Sequence, residues 1–170
     1  DLPGDIWLVA NVGEEGLGDL LGMRAIVDQF KDQVKAYLVL EGMSLGQIYH
    51  RALGVHRYKI TAKTAGGHSW VDYGKPSAIH ELAQLVTQLS NMAVPSSPRT
   101  TFNVGVISGG TSINTIASEA SLELDLRSED FQALQELTRQ VQELVIAANK
   151  PGVKIVLETI GSRPAGSLPV

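Results

Sequence analysis

The sequence alternates strictly between polar and apolar side chains in the stretch Ser121-Leu122-Glu123-Leu124-Asp125-Leu126-Arg127. A period of two residues is typical of an antiparallel strand with one face on the core and the other in water. Ser128 follows as a candidate N-cap, and Glu129 and Asp130 lie in the first turn of the next helix, where acidic side chains suit the helix dipole. The stretch therefore predicts a half-exposed antiparallel strand that leads directly into a helix.

Similar patterns lie on both sides of this stretch. Apolar periodicity predicts helices near 79–89 and 129–148, and the strands that we predict are 55–64, 101–108, 115–127 and 153–160. The order βαββαβ predicts an α+β fold with a ferredoxin-like module, in which two helices cover one face of a four-stranded antiparallel sheet.

The first part of the chain has a different pattern. Residues 6–12 and 37–40 are continuous apolar runs, typical of strands buried on both faces of a parallel sheet. Leu20, Met23, Ile26, Val27 and Phe30 fall between them at helical spacing, with Asp19 as the expected N-cap. We therefore predict a partial parallel βαβ unit within residues 1–53, the ferredoxin-like domain over 54–161, and a return toward the first domain over 162–170.

Composition excludes several classes of protein. The 14 Lys and Arg against 18 Asp and Glu give a net charge of −4, which disfavours nucleic acid and anionic membranes as partners. The absence of Cys excludes disulfides, thiolate metal sites and a Cys nucleophile, and it is compatible with the cytoplasmic location that we expect. The chain begins at Asp1 without a Met or a signal-peptide pattern, and we interpret it as part of a longer protein.

Acidic residues at the ends of the two apolar runs are the first candidates for chemistry. Glu14 and Glu15 follow the first run, and Glu41 follows the second, so all three would lie at the edge where open α/β sheets bind ligands. One carboxylate there could bind a metal while its neighbour acts as a general base. The alternative is that the pair only lies near a helix N-terminus, where acidic residues are common.

The second set of candidates lies in the ferredoxin-like module. His68 sits in a Gly-rich loop, Asn114 in the connection after Gly109-Gly110, and Arg127 at the end of a strand. Arg suits a carboxylate, and Asn can donate to a developing oxyanion. The alternatives are a surface His, an ordinary hairpin connection and a surface ion pair of small energy.

Taken together in this order, the motifs resemble the M20 family of metallopeptidases and amidohydrolases. They are Val12-Gly13-Glu14-Glu15-Gly16, Leu40-Glu41-Gly42, Gly66-Gly67-His68-Ser69, Gly74-Lys75-Pro76-Ser77-Ala78-Ile79, Gly109-Gly110 through Asn114-Thr115-Ile116, and Asp125-Leu126-Arg127. The resemblance covers essentially the whole chain. It implies a catalytic domain interrupted by a ferredoxin-like lid that forms a homodimer.

The resemblance also implies roles for the candidate residues. Glu14 would be the general base, and Glu15 and Glu41 would be ligands in a site for two zinc ions. His68, often acting in the partner subunit's active site, would support the tetrahedral oxyanion. Asn114 and Arg127 would hold the carboxylate of a peptide or N-acyl amino acid substrate.

The chain departs from the family pattern in its metal ligands. It has no His before His50 or after His80, so the family's upstream His-x-Asp segment, bridging Asp and C-terminal His have no counterpart. A catalytic zinc typically has three protein ligands. We therefore predict a fragment that is inactive and metal-free by itself. The alternative is a non-catalytic ferredoxin-like module for homodimerisation or small-ligand binding.

Overall fold

The computed structural model describes residues 4–15, 18–40, 42 and 45–168. The chain separates into two compact units, Asp1–Ile48 and Tyr49–Val170. The domain limits at 53/54 and 161/162 stay sequence-based predictions. None of the helices formed by the described residues has the length and apolar character needed to cross a membrane.

The helix predicted in the first unit is confirmed. Helix α1 spans Leu21–Phe30 and is followed by a 3-10 turn, Lys31–Gln33. The ring of Phe30 meets that of Trp7 edge-on, with centroids 5.2 Å apart. Asp19 is not the cap of α1: the N-cap residue is Leu20, and the Asp19 carboxylate instead forms an ion pair with Arg24 at 2.8 Å.

The prediction of two strands beside α1 is wrong for the described residues. Neither residues 6–12 nor residues 37–40 form part of any ladder among the described residues. Their side chains are largely exposed, with Leu8 at 94%, Leu38 at 90% and Leu40 at 97%. A parallel strand needs the N–H and C=O groups of a neighbouring strand, and the described residues of this unit present no such neighbour to either run. The apolar pattern is present, but the described residues of this unit form no βαβ pairing.

The second unit contains the predicted α+β module. Its elements in chain order are β1 (Arg51–Ala52), β2 (Gly54–Thr64), β3 (Gly67–His68), α2 (Ala78–Ser90), β4 (Thr100–Gly109), β5 (Thr115–Ile116), β6 (Glu119–Ser128), α3 (Phe131–Ala147), β7 (Val153–Arg163) and β8 (Gly166–Ser167). Four strands form an antiparallel sheet in the order β4-β6-β2-β7, while β1 pairs with β8 and β3 with β5. The ferredoxin-like fold is confirmed.

The two faces of the sheet follow the alternation in β6. Leu122, Leu124 and Leu126 are at most 1% exposed and belong to the same buried cluster as residues of α2 and α3. Burying one Leu side chain contributes about 1.5–3 kcal/mol, so this stripe is a main source of stability. Asp125 and Arg127 alternate with the leucines and lie on the opposite, half-exposed face.

The strand predicted over 115–127 is broken in the structure. Ala117 and Ser118 separate β5 from β6: the carbonyl group of Ala117 bonds to the start of α2, whereas that of Ser118 still bonds to β2. The N–H of Thr64 donates to Ser118 O at 2.8 Å, and the N–H of Ala78 donates to Ala117 O at 2.8 Å. The short piece before the break therefore pairs with β3 instead of continuing the main sheet.

Candidate functional site

The small β3–β5 sheet brings two of the predicted site residues together. His68 lies opposite Thr115 in the register of the two strands. The N–H of Ser69 donates to the carbonyl oxygen of Asn114 at 2.9 Å. His68 and Asn114, which are distant in sequence, are therefore neighbours at one end of the main sheet.

The backbone around His68 determines which ring nitrogen carries the proton. Nδ1 accepts from the N–H of Trp70 at 3.2 Å and from the N–H of Val71 at 3.5 Å. A ring nitrogen that accepts hydrogen bonds is unprotonated, so the proton of the neutral ring lies on Nε2. Because the His68 side chain is exposed, Nε2–H is available as an outward-facing donor.

The amide of Asn114 is oriented by a neighbouring hydroxyl group. Ser112 Oγ donates to Asn114 Oδ1 at 3.0 Å and is itself 2.6 Å from Thr115 Oγ1. Since Oδ1 accepts this bond, the amide presents its NH₂ group to an approaching ligand. The two side chains thus offer two donors, Nε2–H of His68 and the Asn114 NH₂ group, from one small sheet.

Arg127 lies in a different environment on the outer face of the sheet. Its Nε donates to Asp125 Oδ2 at 2.6 Å, and Arg57 Nε donates to Asp125 Oδ1 at 3.0 Å. Burial by itself would raise the pKa of Asp125, but the hydrogen bonds from Arg127 and Arg57 outweigh it and lower that pKa. The Arg127 side chain is 44% exposed. A guanidinium has five N–H donors, so a carboxylate can still bind to it.

The site residues of the second unit form two separate groups. Arg127 is opposite Val55 in the register of β2 and β6, whereas His68 and Asn114 lie beyond Thr64 at the other end of β2. The strand from residue 55 to residue 64 spans about 30 Å at about 3.3 Å per residue. One small substrate therefore cannot touch both groups of the same chain.

The acidic candidates lie in the first unit. Glu14 is half-buried and Glu15 is exposed, while Glu41 lies outside the described residues. Nowhere in the described part of the chain do three His, Cys, Asp or Glu side chains come together to hold a metal ion. The donors among the described residues therefore do not fit a zinc ion, which takes about four ligands in a tetrahedron.

A sequence profile identifies the module. The profile of the peptidase dimerisation domain of the M20 family matches residues 52–153, which is more than half of the chain. The chain belongs to the M20 family. No curated protein sequence matches it.

Solved structures carry the same fold as this M20 chain. The aminobenzoyl-glutamate utilization protein from Klebsiella pneumoniae is 24% identical, with a TM-score of 0.61 over 69% of this chain and 30% of that chain. A tripeptidase from Staphylococcus aureus is 21% identical, with a TM-score of 0.57 over 71% and 32%. A hydantoinase/carbamoylase family amidase from Burkholderia ambifaria is 21% identical, with a TM-score of 0.58 over 68% and 29%. The match thus spans about a third of each relative.

The two edges of the M20 module differ in charge. Edge strand β4 carries no charged residue, and its Val106 and Ile107 are 51% and 59% exposed. The other edge, β7, carries Lys154 and Glu158. Charges on an edge strand oppose pairing with another chain, so β4 is the edge open to a second sheet.

Sequence reasoning missed the residues that support the candidate side chains. Asp125 belongs to the Asp125-Leu126-Arg127 motif, but the sequence assigned it no role, although it lies two residues from Arg127 on the same face. Asp72, which bonds the N–H of His68 at 2.8 Å, lies four residues after it. Spacings of two in a strand and four in a loop are the signals that could have found them.

Proposed function

We propose that this chain is the dimerisation lid, together with part of the catalytic domain, of an M20 enzyme that hydrolyses amide bonds. The substrate class is a peptide or an N-acyl amino acid with a free carboxylate. The observation that carries the proposal is the pair of donors on the β3–β5 sheet, His68 and Asn114, about 30 Å along β2 at about 3.3 Å per residue from the carboxylate-binding candidate Arg127.

This separation favours an active site that is shared between two chains. A small substrate can contact Arg127 of one protomer only if His68 and Asn114 come from the other. The uncharged edge β4 supports such an arrangement, because it can pair with β4 of a second copy across a two-fold axis. Homodimerisation through the lid is thus part of the proposed function.

The residue types suit the proposed roles. Hydrolysis of an amide places negative charge on the carbonyl oxygen, and a donor aimed at that oxygen stabilises the transition state. His68 with its proton on Nε2 is such a donor, and the NH₂ group of Asn114 is a donor for the substrate carboxylate, the role that the family resemblance implies. Arg127 would hold the substrate carboxylate. In the longer protein Glu14 would act as the general base, and Glu15 and Glu41 would be ligands of the two zinc ions; those roles rest on the family resemblance.

Mixed dimers of the full-length enzyme test this proposal. The His68→Ala and Arg127→Ala chains, each with a different affinity tag, are coexpressed and the mixed dimer is isolated. Each homodimer lacks one group in both sites and should be nearly inactive. The mixed dimer has one site with both groups intact and should recover up to about half of the wild-type rate, since one of its two sites is complete.

The two results of this experiment separate the arrangements. Recovery in the mixed dimer requires that the two residues reach one substrate from different chains. If the mixed dimer is as inactive as the two homodimers, the shared site is wrong. If both single variants keep the wild-type rate, the catalytic roles themselves are wrong.

A non-catalytic homodimerisation module is the alternative, and the closed core of the second unit favours it, since its buried residues pack without the first unit.

We expect the chain itself to bind no zinc and to hydrolyse no amide. Elemental analysis after dialysis against zinc, with an assay on N-acyl amino acids and dipeptides, checks this. Stoichiometric zinc together with amide hydrolysis would contradict the prediction that the chain is inactive by itself. A full-length protein whose hydrolysis is abolished by Glu14→Gln would decide for the enzyme.

A further inference from the structure

The loop that carries His68 is closed by a reciprocal pair of hydrogen bonds. The N–H of His68 donates to Asp72 Oδ2 at 2.8 Å, and the N–H of Asp72 donates to the carbonyl oxygen of His68 at 2.9 Å. The second bond joins residues four apart and defines a single α-turn. The two residues therefore hold the loop shut at its base.

Lys75 occupies the other oxygen of the same carboxylate. Its Nζ donates to Asp72 Oδ1 at 2.6 Å, and its N–H donates to the carbonyl oxygen of Asp72 at 3.1 Å. The hydrogen bond from Lys75, and then that from the His68 N–H, lower the pKa of Asp72. Asp72 is thus a charged acceptor at neutral pH with both oxygens engaged.

The residue before His68 is adapted to the approach of Asp72. Gly67 has a φ of 155°, and a Cβ at this position would lie 2.7 Å from Asp72 Oδ2 and 2.9 Å from Asp72 Cγ. Residues that carry a side chain rarely adopt that backbone conformation, and real Cβ atoms do not make contacts that short. The glycine therefore leaves the space that the Asp72 carboxylate occupies against the backbone.

The turn closed by Asp72 also supplies the donors that orient the ring of His68. The N–H groups of Trp70 and Val71, which lie inside this turn, point at Nδ1. If the turn opens, Nδ1 loses its two donors and exchanges them for water. The ring then loses the preference for the proton on Nε2 that the turn imposes.

We propose that Asp72, held by Lys75, is a positioning residue that fixes the His68 ring as an Nε2–H donor. The catalytic use of that donor rests on the proposed function, whereas the positioning is a property of this chain alone. A loop carboxylate that merely stabilised the fold would leave the tautomer of His68 unchanged.

Nitrogen-15 NMR of the histidine rings in the chain tests this inference, with the His68 signals assigned by comparison with His68→Gln. In the wild-type chain we expect His68 to be protonated on Nε2. In Asp72→Ala we expect a mixture of both tautomers and exchange of the His68 amide proton at least about tenfold faster. In Asp72→Asn the side-chain oxygen can still accept the His68 N–H, and the wild-type tautomer should return.

Asp130→Ala is the matched control. Asp130 also accepts a backbone N–H at 2.8 Å, from Ala133 at the start of α3, so the variant loses the same kind of bond elsewhere. It should leave the His68 ring unchanged. A folded Asp72→Ala chain with the wild-type tautomer would overturn the proposal. If Asp72→Ala does not fold, Gly67→Ala decides, because its Cβ displaces Asp72 without removing it: a mixed tautomer supports the proposal, and the wild-type tautomer refutes it.

Failure of the proposed function gives a different signature. A full-length enzyme in which His68→Ala keeps the wild-type rate would remove the catalytic role of the donor while the NMR result stands. If the catalytic role of His68 and its positioning by Asp72 both hold, Asp72→Ala in the full-length enzyme lowers kcat more than it changes KM. Asp72→Asn then restores part of kcat.

Discussion

At the scale of single residues, Asp125 links acid stability to the candidate carboxylate site. Its carboxylate is shared by Arg57 and Arg127, and its folded-state pKa lies below its ordinary value of 3.8. A group whose pKa is lowered by folding contributes stability above its unfolded pKa and loses it as the pH falls through the folded pKa. The excess stability of the wild type over Asp125→Asn should therefore be full at pH 7 and should shrink as the pH falls below about 4.

Urea unfolding at pH 7, 5, 4 and 3 measures this difference. Glu158→Gln is the control, because Glu158 is an exposed carboxylate on β7, which belongs to the same sheet but does not pair with β6. It should change the free energy of unfolding little and without this pH dependence. A difference between Asp125→Asn and the wild type that stays constant from pH 7 to pH 3 would show that the two arginines do not lower the pKa of Asp125.

Gly109, at the end of β4, is a position where the backbones approach closely. A Cβ there would lie 2.5 Å from the Cβ of Ala120 on β6. Gly109→Ala should therefore lower the free energy of unfolding by about 1–3 kcal/mol, the usual cost of overpacking. Gly166→Ala is the control, since nothing lies within 4 Å of a Cβ at that position. Equal unfolding midpoints in urea for the two variants would contradict the close approach.

At the scale of elements, Thr64 joins the main sheet to the small sheet that carries His68. Its hydroxyl donates to Ala117 O at 3.0 Å and accepts from the N–H of Gly66 at 3.3 Å. Thr64→Val keeps the shape but loses both bonds. We expect a loss of about 0.5–1.5 kcal/mol per hydrogen bond, together with faster amide exchange at His68.

Hydrogen exchange by NMR or mass spectrometry measures this effect. Thr61→Val, in the same strand and on the outer face, is the control. It should leave exchange in the small sheet at the wild-type rate. If Thr64→Val has no more effect on His68 than Thr61→Val has, the junction does not hold the candidate site in place.

The same elements explain which parts of the fold the sequence could predict. The alternation of β6 and the helical periodicity of α2 and α3 are local signals, and the burial of Leu122, Leu124 and Leu126 confirms them. The break at Ala117 was not predictable, because it depends on bonds to Thr64 and Ala78, which are distant in sequence. That break brings His68 and Asn114 together, so the residue types of the site were readable while their grouping was not.

In the first unit, the strands that the sequence predicted are not formed by the described residues. Residues 6–12 and 37–40 have the composition of buried strands, and the prediction assumed that the neighbours needed for pairing were close by. Composition reports what a segment can bury, whereas a ladder depends on which partner strand is present. The helix between the two runs satisfies its hydrogen bonds within itself, and it was predicted correctly for that reason.

At the scale of the whole molecule, the two edges of the main sheet predict which surface forms the dimer. Strand β4 is uncharged, and its exposed Val106 and Ile107 lie on the edge that we propose for pairing with a second copy. The β7 edge has the exposed Val156 between Lys154 and Glu158. One large apolar side chain on each edge therefore offers a matched pair of substitutions, Ile107→Lys and Val156→Lys.

Sedimentation velocity over a range of concentrations distinguishes the two edges. If β4 forms the interface, Ile107→Lys places an unpaired charge in it, and the dissociation constant of the dimer should rise by at least about tenfold, equivalent to about 1.4 kcal/mol. Val156→Lys should leave that constant unchanged, since its edge already carries charges. The reverse ranking would move the interface to β7. A wild-type chain that stays monomeric at all concentrations would show that residues 1–170 do not self-associate through the lid alone.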